Sequence, residues 1–131
     1  MSARFMLGTA LVLVGTTSLA LAEDYASGAI KTMETKAGEI LTDAKGMTLY
    51  TFDKDTPGVS ACYDKCAANW PPLIAAAGAT ATDEYTLVER KDGTMQWAYE
   101  GKPLYLWAKD AKPGDMTGDG MNDVWHAAVE K

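Results

Sequence analysis

The sequence is poor in metal-ligating side chains, with one histidine and two cysteines in 131 residues. That excludes a structural zinc site of four cysteines, or of two cysteines and two histidines. No Cys-x-x-Cys-His occurs, so c-type haem has no attachment motif. The chain also lacks G-x-x-x-x-G-K-[ST], G-x-G-x-x-G and a Ser in a G-x-S-x-G elbow, which removes the usual footholds for nucleotide chemistry and for serine hydrolysis. Basic residues are scarce: 12 Lys and Arg stand against 18 Asp and Glu, for a formal charge of −6. Without a basic cluster the chain has no electrostatic footprint for nucleic acid or anionic lipid. Beyond residue 22 no apolar run is long enough to cross a bilayer.

The first 22 residues read as a secretory signal peptide. Arg4 supplies the positive n-region, Phe5 to Leu21 is uncharged, and Ala20-Leu21-Ala22 forms an A-x-A cleavage site before Glu23-Asp24. No cysteine lies there to take a lipid, so the expected product is a periplasmic or secreted protein free of the membrane. Loss of Arg4 takes its charge to −7. The remainder, residues 23–131, is long enough for one modest core.

That remainder contains a duplication. Between residues 34 and 70, ten positions are identical to those 55 residues later, including Gly46/Gly101, Leu49/Leu104, Tyr50/Tyr105, Asp55/Asp110 and Trp70/Trp125. Chance would give about two in a window of that length. A self-match at one offset marks a repeated supersecondary unit. Alternating segments and Gly-containing turns make each copy a three-stranded meander: 29–34, 39–42 and 47–52, then 85–90, 94–99 and 103–107. Ser60 to Asn69 is the candidate short helix, with Ser60 as N-cap. Residues 75–82 read as a linker, and 125–129 as a closing strand. The expected fold is mainly β: two antiparallel meander repeats, about 28–73 and 83–130, related by a pseudo-twofold, with a short helical segment near 60–69.

Tyr50-Thr-Phe52-Asp-Lys-Asp55 and Tyr105-Leu-Trp107-Ala-Lys-Asp110 both fit Tyr-x-aromatic-x-x-Asp. With Cys62-Tyr-Asp-Lys-Cys66, Trp70-Pro-Pro-Leu73 and the stretch Gly118-Asp-Gly120 to Trp125-His126, the chain resembles the bacterial predicted lipoproteins with a Yx(FWY)xxD motif, the secreted repeat of unknown function. It departs from that name in lacking a lipid-attachment cysteine. The resemblance implies no molecular activity and only a loose context of hydrocarbon (alkane) catabolism.

Tyr and the aromatic two residues on share one face of a strand. Tyr50, Phe52, Tyr105 and Trp107, with Trp70 and Trp125, are therefore read as core, and Asp55 and Asp110 as turn-fixing carboxylates. The competing reading is a binding groove that uses the tyrosine hydroxyls. Cys62 and Cys66 form an even pair in an exported chain, and on a helix their spacing falls within disulfide range, so a structural disulfide is expected. The alternative is copper handling or thiol redox through Cys62, Cys66 and His126. Asp115, Asp119 and Asp123 lack the calcium-loop spacing and read as a solvated turn. No catalytic residue and no cofactor emerges. The favoured function is a non-enzymatic exported binding or structural module whose partner is a small apolar ligand or an envelope protein.

Overall fold

A computed structural model describes residues 24–131; the expected leader lies outside the described residues. Among the described residues the chain forms eight short strands and one α-helix. They are β1 (Asp24–Tyr25), β2 (Ile30–Thr35), β3 (Gly38–Asp43), β4 (Tyr50–Phe52), α1 (Lys65–Asn69), β5 (Tyr85–Glu89), β6 (Met95–Tyr99), β7 (Lys102–Pro103) and β8 (Trp125–Ala127). Three antiparallel sheets have the orders β1-β2-β3, β4-β8 and β5-β6-β7. The fold is mainly β, as its alternating segments require.

Local chemistry sets the two hairpins. Thr35 faces Gly38 across a tight turn, where Gly38 takes φ +108 and the Thr35 hydroxyl accepts from Ala37 N–H. The equivalent turn, from Arg90 to Thr94, is one residue longer, and Asp92 fixes it by accepting from both the N–H and the hydroxyl of Thr94. The 55-residue offset is therefore not uniform. Ile40 bridges Val129 and Gln96 bridges Ile74, so β3 corresponds to β6 at an offset of 56. The offset is again 55 from Leu49/Leu104 onward, after the shorter Glu100-Gly101 turn.

The two copies are interlaced. Leu41 N–H donates to Ala128 O, and Ala128 N–H donates to Leu49 O. In the other half, Trp97 N–H donates to Leu73 O, and Leu73 N–H donates to Leu104 O. The last segment of each copy thus lies between the second and third strands of the opposite copy. Tyr50 and Tyr105 exchange both backbone hydrogen bonds, at 2.8 and 2.9 Å. Equivalent residues bonding to each other reciprocally place an approximate twofold between them.

Several local expectations need correction. The helix covers only Lys65–Asn69, and the residue before it is Asp64, at φ 55. Ser60 is not its N-cap; its hydroxyl is drawn into a buried polar network. Pairing of β7 with β6 ends at Pro103, because Tyr105 instead bridges Tyr50 and Pro72. Ala75, assigned to the linker, is buried and donates its N–H to Met95 O. Two apolar clusters result. One gathers Ile30, Leu41, Leu49, Trp97, Leu104 and Ala128, and the other gathers Tyr50, Cys62, Trp70, Tyr105 and Trp125.

Candidate functional site

The second cluster lies on the approximate twofold and holds the aromatic residues of both motif copies. Four rings stack in the order Phe52, Trp125, Trp70, Trp107, with centroid separations of 4.1, 3.8 and 4.1 Å. The central pair, Trp70 and Trp125, is the duplicated tryptophan meeting its own counterpart. Tyr50 meets Trp70 edge-on at 5.2 Å, and Tyr105 meets Trp125 likewise at 5.2 Å. Stacked and edge-to-face arrangements are those that the ring quadrupole favours.

Each tyrosine donates its hydroxyl to the aspartate of the opposite copy. Tyr50 reaches Asp110 Oδ2 at 2.6 Å, and Tyr105 reaches Asp55 Oδ2 at 2.7 Å. Both tyrosines are fully buried. Removal from water raises their phenolic pKa values well above the ordinary range, and the neighbouring carboxylates add to the effect. The hydroxyls therefore stay protonated as donors. The core reading holds for Tyr50 and Tyr105, and complete burial denies them a groove. The aspartates also secure local backbone. Asp110 accepts from the N–H and hydroxyl of Thr117, and Asp55 accepts from Ala61 N–H.

The surroundings of the two pairs differ. Gly118 N–H donates to the Tyr50 hydroxyl. A Cβ at Gly118 would lie 2.6 Å from Trp70 Cη2, so the ring leaves room only for glycine. At Tyr105, the Ser60 hydroxyl lies 2.6 Å from the phenol and accepts from Arg90 Nη1. Arg90 is 6% exposed and also donates to Gln96 Oε1 and Cys62 O, while its guanidinium covers the Tyr63 ring at 4.2 Å. Burial raises the Asp55 pKa, and this outweighs the opposing pull of the Tyr105 and Ala61 hydrogen bonds and of the Arg90 charge. Sequence reasoning reads Ser60 as a helix cap, takes Gln96 and Gly118 only as parts of the family pattern, and misses Arg90 and Thr117. An arginine at a strand end beside Asp-Gly looks like a solvated turn residue, and nothing local marks it as buried.

Cys62 and Cys66 form a disulfide, with Cα atoms 5.2 Å apart. Cys62 precedes α1 and packs among the rings, and Cys66 lies on the helix. His126 is exposed on β8 opposite Thr51, with Nε2 2.8 Å from Asp53 Oδ2. Among the described residues no three His, Cys, Asp or Glu side chains gather as a metal site. A disulfide sulfur is not a thiolate ligand, so the copper reading of Cys62, Cys66 and His126 gains no support. Nor do the loop carboxylates converge. Asp115 is taken by Lys112 and two backbone N–H groups, and Asp119 by Ala127 N–H.

One surface breaks the approximate symmetry. A shallow groove is lined by Thr51, Phe52, Asp53, Glu100, Lys102 and Pro103. Thr51, Asp53 and the adjoining His126 stand where the other half has Leu106, Ala108 and Pro71.

The family described as a secreted repeat of unknown function matches residues 31–74 and again 86–129. No curated protein and no solved structure matches. The family description names no substrate, and the hydrocarbon context gains no support from it. Among the described residues no helix is long and apolar enough to cross a membrane.

Proposed function

We propose that this chain, which belongs to the family of secreted repeats of unknown function, is a non-enzymatic exported module in which the repeated Tyr-x-aromatic-x-x-Asp segments build the frame and a diverged surface groove makes the contacts. Its working compartment is the periplasm, after removal of a leader at residues 1–22. The observation that carries this reading is the reciprocal use of the motif. The hydroxyls of Tyr50 and Tyr105 are committed to Asp110 and Asp55, and both rings are fully buried. A group so engaged holds the halves together and is not presented to a substrate.

Binding is assigned to the groove because the copies differ there. A frame built twice keeps the same residues, whereas a contact surface used once is free to diverge. Thr51, Asp53 and His126 are polar where their counterparts are apolar. With Glu100 and Lys102 on the opposite wall, the groove carries charges of both signs, which suits a polar envelope protein better than a small apolar ligand.

The test is a photo-crosslinking residue placed at Thr51 or Lys102, with Lys36 and Asp92 on the hairpin turns as controls. In intact cells, adducts to one partner are expected from the groove positions, lost on Asp53→Ala and absent from the turns. Equal labelling from all four positions, or adducts from the turns alone, would contradict the assignment.

A further inference from the structure

The ring stack has a chemical property that a purely packed core does not need. We propose that it is a one-electron relay, in which an oxidising equivalent delivered at Trp107 passes through Trp70 and Trp125 and is held as a neutral tyrosyl radical on Tyr50 or Tyr105, the phenolic proton moving to Asp110 or Asp55.

Three observations carry this. Three of the chain's four tryptophans stand in one continuous stack, with neighbouring centroids 3.8 to 4.1 Å apart. The stack has one oxidisable end. Trp107 is half-buried and so reachable from outside, while the far end is Phe52, whose benzene ring resists oxidation. Each interior tryptophan then touches a tyrosine edge-on, and each tyrosine hydroxyl lies 2.6 to 2.7 Å from a carboxylate oxygen. A phenol losing an electron becomes a strong acid, so its oxidation requires a proton acceptor already in place. Both tyrosines have one, and complete burial protects the radical from quenching.

The steps balance. An external one-electron oxidant, such as a peroxide-derived radical or a high-valent metal centre, takes one electron from Trp107 and leaves an indole cation radical. Trp70 supplies an electron to Trp107 and becomes the cation radical in turn. Tyr50 supplies an electron to Trp70 while its O–H bond breaks and the proton passes to Asp110 Oδ2. The products are neutral Trp70, a neutral tyrosyl radical and protonated Asp110. Through Trp125 the same sequence ends on Tyr105 and Asp55. A small thiolate returns the electron and leaves as a thiyl radical, and the proton on Asp110 or Asp55 goes back to the phenolate oxygen. The raised phenolic pKa values agree with oxidation from the protonated form.

The test uses the intact protein, with its disulfide, and flash-generated tris(bipyridine)ruthenium(III) as oxidant. Transient absorption and electron paramagnetic resonance should show a tryptophan radical that decays into a long-lived tyrosyl radical. In Tyr50→Phe/Tyr105→Phe most of the tyrosyl yield should be lost and the tryptophan radical should persist, although four other tyrosines remain. Trp107→Phe, which keeps a stacked ring, should slow formation of the buried radical. Asp55→Asn/Asp110→Asn should shift the product from tyrosyl to tryptophan radical. An unchanged tyrosyl yield in the double phenylalanine variant would place oxidation on other tyrosines and overturn the relay. Should that variant fail to fold, an unchanged rate in Trp107→Phe overturns it equally.

Discussion

Tyr50 and Tyr105 are the same residue of the repeat, and each is tied to the other copy's aspartate by one short hydrogen bond. Tyr105→Phe keeps the ring and removes that bond together with the hydroxyl's contacts with Ser60 and Gln96. The expected loss is about 1.5–3 kcal/mol, the range for a hydrogen bond to a charged group, and chemical denaturation would measure it. Gly118→Ala should cost about 1–3 kcal/mol through overpacking, since the added methyl meets Trp70 and Trp107. Its fluorescence should report displaced indoles. Asp55 gives a pH signature. Its folded pKa lies above the ordinary 3.8 because of burial, so just above that value the folded state binds more protons than the unfolded state. Its contribution therefore increases stability as pH falls through that window and lowers it as pH rises. Melting temperatures in and just above the ordinary aspartate range, compared with Asp55→Asn, should show that part of the slope vanish. At this scale the sequence displayed the aromatic pairs and the disulfide partners. It could not display Arg90 or Ser60, whose partners come from distant segments and whose types are ordinary in turns.

Among the elements, α1 has only five residues and no side-chain cap. Isolated helices of that length are not stable in water, so the disulfide and Trp70 must hold it. The Cys62–Cys66 link closes a loop of about five residues, which corresponds to about 2 kcal/mol of chain entropy. Reduction should lower stability by that amount while leaving the hairpins folded, as circular dichroism and denaturation with and without a dithiol would show. The hairpins were legible because Gly38 and Asp92-Gly93 mark their turns. The helix was not. Ser60 accepts from Cys62 N–H as a cap would, but the helix begins only at Lys65, and the same hydroxyl is tied to Tyr105 and Arg90.

For the whole molecule, duplication in the sequence implied two like halves, yet not how they join. The crossing of Leu73 and Ala128 into opposite meanders depends on long-range pairing that no local pattern encodes. A consequence is that neither half is complete. Residues 24–82 expressed alone should show no cooperative thermal transition, and mixing with residues 83–131 should restore one. Cooperative folding of the isolated half would mean that the exchanged segments are dispensable.

The central claim, that the halves are clasped by tyrosine–aspartate pairs running between the copies, is tested most directly by double-mutant cycles. The cycle Tyr50→Phe with Asp110→Asn should give a coupling of about 0.5–3 kcal/mol, the range for residues in direct contact, and above the additivity limit. Tyr50→Phe with Asp55→Asn, the pair within one motif copy, should be additive within about 0.5 kcal/mol. Strong coupling between Tyr50 and Asp55 together with additivity between Tyr50 and Asp110 would contradict it.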